Sequence, residues 1–121
     1  MIEVTTEQVY RTAREVVAEK PDYVYINPMG ARAGDGANCY YVHGNEPGCV
    51  VGAVLHRLGV PLEELARFES TNGYIVSATL TNMEDRTASF LRKLQWYQDN
   101  GRNWLTALSD AEATFPEPIA A

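Results

Sequence analysis

The chain has 121 residues, 45% of them apolar and 21% charged, and its ten basic and sixteen acidic side chains leave a formal net charge of −6. A chain of this length and make-up can bury a core of its own, which excludes intrinsic disorder as its main state and predicts one domain. Its longest apolar runs, of four residues, are too short to span a membrane. The acidic balance repels phosphate backbones, so neither nucleic acid nor membrane is expected as a partner.

Glu3 and Glu7 stand where a secretory leader would carry lysines and an apolar stretch, so the expected compartment is the cytoplasm. Thr5 and Gln8 have the spacing of a capping box, and Val9, Tyr10, Ala13, Val16 and Val17 recur behind them at helical spacing. This predicts a first helix from Thr6 to Lys20, stopped by Pro21. Tyr23 to Ile26 and Cys39 to Val42 are short β-branched and aromatic runs that read as two strands, paired most simply as a hairpin. The twelve residues between them, Asn27 to Asn38, contain three glycines and read as a mobile loop.

Pro47 can occupy a first helical turn, Asn45 or Glu46 can cap it, and Gly59 can close it. A second helix from Pro47 to Leu58 would turn Val51, Val54, Leu55 and Leu58 to one side and Cys49, Gly52, Ala53 and His56 to the other. Two apolar strips make it the expected central helix. Pro61 opens a short helix from Leu62 to Phe68, while residues 74–80 fit a strand or a helix equally well. Thr81 and Glu84 form a second capping box, opening a long helix to Asn100 that Gly101 closes. On that helix Trp96 projects among Asp85, Ser89, Arg92 and Lys93, away from the apolar side of Met83, Phe90, Leu91, Leu94 and Tyr97. A last helix from Trp104 to Ala113 ends before Pro116 and Pro118. The expected architecture is α+β, a mainly helical domain of four or five helices over residues 1–114 with a small β-hairpin, followed by a flexible tail over 115–121.

Cys39, His43, Cys49 and His56 fall within eighteen consecutive residues. Their unequal spacings and the lack of a CxxC knuckle argue against zinc, and no metal or cofactor is expected. Cys49 in a first helical turn could have a lowered thiol pKa, but His56 lies two turns away and cannot serve as its base. A Cys39–Cys49 disulfide fits the spacing and is disfavoured in a reducing cytoplasm. No catalytic residue is therefore assigned. The binding candidates are Tyr23 and Tyr25 on one strand face, Arg32 in the Gly-rich loop, Cys49 and His56 on the small-residue strip, and Trp96.

Pro21-Asp22-Tyr23-Val24-Tyr25, Cys39-Tyr40, Pro47 to Gly52, Leu55-His56-Arg57-Leu58-Gly59, Gln95, Gln98-Asp99, Gly101 and Trp104 together resemble a group of short proteins encoded by bacteriophages of actinobacteria, mycobacteriophages especially. The group has no known activity, and the resemblance implies a setting only: a small phage accessory protein in the host cytoplasm that binds a host protein or signalling molecule. The function expected is a non-enzymatic binding module for a host protein or small ligand, with Trp96 also able to anchor a homodimer. The alternatives are a small thiol-dependent hydrolase using Cys49 and a zinc-stabilised domain.

Overall fold

Helix α1 (Thr6–Glu19) starts where the capping box puts it. Thr5 Oγ1 accepts from the Gln8 N–H at 3.1 Å and Gln8 Oε1 accepts from the Thr5 N–H at 2.7 Å, which satisfies two donors that a helix start leaves open. The computed structural model describes residues 1–25, 40–69 and 71–118. Among them the chain forms six helices and one two-stranded antiparallel ribbon, an α+β arrangement. No helix among the described residues is long and apolar enough to cross a membrane.

The Tyr-rich segment after α1 does not enter the ribbon. Val24 instead bridges Asn103. The carbonyls of Tyr23 and Pro21 take the first N–H groups of helix α6 (Trp104–Thr114), from Trp104 at 2.9 Å and Leu105 at 3.0 Å. A helix N-terminus needs acceptors for its first donors, and this demand holds residues 21–24 against α6. The ribbon is formed by β1 (Val42–His43) and β2 (Glu46–Pro47), with Val42 opposite Pro47 and His43 opposite Glu46. Gly44, at φ +64°, and Asn45 supply its two-residue turn. The expected hairpin is thus shifted along the chain; Ile26, Cys39 and the loop between them lie outside the described residues.

Pro47 therefore ends a strand and does not open a helix. The next two N–H groups, of Gly48 and Cys49, donate to Tyr41 O and Tyr40 O at 2.9 Å, so helix α2 (Val50–Arg57) begins only after them, with Cys49 at its N-cap. Its C-terminus follows the expected pattern. Gly59, at φ +116°, donates to His56 O and Val60 to Leu55 O, the paired bonds of a Schellman motif. Helix α2 lies between α1 and α5 (Asp85–Asp99), with Val50, Val51, Val54 and Leu55 fully buried.

The short helix α3 (Leu62–Ala66) precedes α4 (Gly73–Leu80), so the ambiguous stretch is helical. Asn72 Oδ1 caps it by accepting from the Ile75 N–H at 3.0 Å. The second capping box does not form, because the Thr81 hydroxyl closes α4 by donating to Ser77 O at 2.7 Å and accepts from the Met83 N–H. Glu84, the N-cap of α5, makes no side-chain capping bond. Residues 115–118 run back over α1 and α5: Tyr10 Oη donates to Phe115 O at 2.6 Å, Arg86 to Pro116 O at 2.8 Å, and Arg14 pairs with Glu117 at 2.9 Å and Glu112 at 2.6 Å. Tyr10 also stacks on Phe90, ring centroids 4.1 Å apart, locking α1 to α5.

Candidate partner-binding face

Helix α5 carries two different faces. At 100° per residue, Phe90, Leu91 and Leu94 share the inner side with Gln95 and Gln98, and all five are buried. The two amides cap other helices. Gln98 Oε1 accepts from the Val50 N–H at 2.8 Å and from Trp104 Nε1 at 3.2 Å, while its Nε2 donates to Asp99 Oδ1 at 2.9 Å. Gln95 Oε1 accepts from the Gly73 N–H at 2.5 Å, and its Nε2 donates to Tyr41 Oη at 3.0 Å. The N-cap Cys49 makes no side-chain capping bond, so the start of α2 relies on Gln98. Two glutamines three residues apart in a Leu-containing stripe were the sequence signal for this role, which spacing arguments alone overlook.

Ser89, Arg92, Lys93 and Trp96 form the outer stripe, at spacings of three, four and seven. With Thr114 and Phe115 from the end of α6 they line an open hollow of 390 Å³. Trp96 is 50% exposed. Its indole stands edge-on to Tyr97, and Lys93 Nζ lies 4.6 Å from its ring centroid. Arg86, one turn before Ser89, sits over the Phe115 ring at 5.8 Å. Asp85 turns away to accept from Tyr74 Oη at 2.8 Å, so among the described residues no carboxylate lines the hollow.

The other candidate residues are distributed differently. Tyr25 and Cys49 are fully buried, and Cys49 is disulfide-bonded. The chain's other cysteine, Cys39, lies outside the described residues, as does Arg32. Tyr23 is half-buried with its ring edge-on to Trp104, centroids 5.0 Å apart. Gly52 packs under Tyr41, so the small-residue strip serves close packing of backbone on helix. At its end the exposed His56 turns Nδ1 to Val60 O at 3.0 Å and borders a hollow of 280 Å³ with Lys20, Arg57 and Glu19. Arg57 is neutralised there by Glu19 at 2.6 Å.

A buried polar cluster lies beneath the ribbon. Tyr25 Oη accepts from the Tyr40 N–H at 2.9 Å and shares a hydrogen bond with Nε2 of His43 at 3.1 Å. Burial, with Lys20 adding to it, holds the His43 pKa below the usual imidazole value. Burial also raises the Tyr25 and Tyr41 hydroxyls and pushes the Asp99 carboxyl up to about 6, the Gln98 amide opposing the last of these. Tyr41 and Asp99 accept from the Gln95 and Gln98 amides, and among the described residues no three His, Cys, Asp or Glu side chains converge as metal ligands would.

The fold and the α5 face together define an α+β domain with one exposed tryptophan framed by cations. No family model matches the chain, and no curated protein or solved structure shows significant similarity to it.

Proposed function

We propose that the chain is a non-enzymatic binding module that engages a partner protein through the outer face of α5 around Trp96. The half-exposed indole beside a hollow that no carboxylate lines among the described residues carries this reading, because tryptophans that fill such positions act as interface anchors. Burial of Tyr25 and Cys49 moves the contact surface away from the Tyr-rich segment and the small-residue strip. A buried, disulfide-bonded sulfur likewise supports neither a Cys49 hydrolase nor a zinc-stabilised domain. In the setting that the resemblance to actinobacterial phage proteins implies, the partner is a host protein.

Native mass spectrometry of the wild type and Trp96→Ala, each recovered from the cell of origin, tests this. The wild type retains a second macromolecule and the variant, with unchanged thermal unfolding, loses it. A lost mass equal to the chain's own would make the partner a second copy. Retention of the same partner by the variant refutes the proposal.

A further inference from the structure

Charge on this molecule is unevenly neutralised. Among the described residues Arg11, Arg14, Arg57, Arg67 and Arg102 each pair with a carboxylate. Lys20, Arg86, Arg92 and Lys93 form no such pair, and three of these four stand on α5 beside Trp96. On a chain of net charge −6, carboxylates are abundant, yet among the described residues none pairs with the cations of this stripe.

Resting on the reading of this face as the contact surface, we infer that its occupant is a short acidic peptide segment carrying one large apolar side chain. The apolar side chain enters the hollow between Trp96 and Phe115, and its neighbouring carboxylates meet Arg86, Arg92 and Lys93. The dimensions agree. Ten residues of helix from Arg86 to Trp96 span about 15 Å, which an extended peptide covers with about five residues. A single small anion would engage only one end of that line. A phosphate polymer would carry its charge past the end of the stripe and over the exposed Glu84 beyond Arg86, whereas a peptide becomes neutral where the cations stop. Lysine and arginine at the rim steer association and make it salt-dependent, while the indole holds the complex.

A displayed library of random ten-residue peptides, selected on the wild-type chain and counter-screened on an Arg92→Glu/Lys93→Glu double variant, tests the inference. Enriched sequences carry several Asp or Glu around one Leu, Phe, Met or Trp. Their affinity falls at least tenfold on the double variant, several-fold between about 50 and 300 mM salt, where the screening length shrinks from about 14 Å to about 6 Å, and not at all on Lys20→Glu. Enrichment of neutral or basic sequences, or of none that depends on Arg92 and Lys93, overturns the inference, as does tighter binding of oligothymidylate or of anionic phospholipid vesicles. If Trp96→Ala loses its cellular partner while no acidic preference emerges, the contact face stands and the inference alone fails; if Trp96→Ala keeps its partner, both fail.

Discussion

Replacing Gln98 tests the internal capping that organises the helices. Its Oε1 is the acceptor for two buried donors, the Val50 N–H and Trp104 Nε1, and the side chain is fully buried. Gln98→Leu preserves much of the volume but orphans both donors, and each costs about 1–3 kcal/mol. Set against a small gain from the apolar side chain, the net loss is about 3 kcal/mol, a large part of the roughly 5–15 kcal/mol that holds such a domain together. At this chain length that corresponds to a Tm lower by about 12 °C. Urea unfolding reads it as a lower midpoint at unchanged slope. Gln98→Glu separates capping from packing, since it keeps the acceptor but sets a second carboxylate against Asp99 Oδ1, which the amide contacts at 2.9 Å. It approaches wild-type stability at pH 5, where the Asp99 carboxyl is protonated, and loses stability towards pH 8. A Gln98→Leu variant within 1 kcal/mol of wild type would refute the reasoning, because two buried N–H groups cannot lose their acceptor at so small a cost.

Asp99 itself has a pKa raised by burial from 3.8 to about 6, so between those values the folded chain holds a proton that the unfolded chain has released. Wild-type stability therefore falls as pH rises from about 4 to above 6, by up to about 3 kcal/mol. Asp99→Asn removes this dependence and is the more stable form at pH 7, while the two converge below pH 4; parallel denaturation profiles would contradict this. Gly52→Ala inverts the usual helix preference, which alone favours Ala by about 1 kcal/mol. Its Cβ would stand 2.5 Å from Tyr41 O, so chemical denaturation should show a loss of about 2–3 kcal/mol, and a stabilised variant would mean that the Tyr41 backbone yields freely. Cys49, being disulfide-bonded, should resist iodoacetamide in denaturant until a reductant is added. Mass-detected labelling without reductant would restore the free thiol and the reducing compartment expected from sequence.

Local signals fared well wherever the partners were near in the chain. Thr5 with Gln8, and the glycines at 59 and 101, mark helix ends through bonds a few residues long, and these ends form as read. The second capping box failed because the Thr81 hydroxyl had a competing acceptor, the Ser77 carbonyl of a helix that the alternation of residues 74–80 had left undecided. The start of α2 slipped by three residues because the Gly48 and Cys49 N–H groups are claimed by Tyr41 and Tyr40.

The amino-acid order by itself determined a mainly helical domain, the amphipathic side of α1 and the anomaly of a tryptophan among charges on α5, since helical periodicity is a property of spacing. Only the tertiary structure decided which strands pair, that Gln95 and Gln98 terminate other helices, and that among the described residues Arg92 and Lys93 lack the acidic partners which neutralise arginines elsewhere. Those outcomes depend on which groups meet across tens of residues, where every unsatisfied donor and unmatched charge has several possible partners and packing chooses among them.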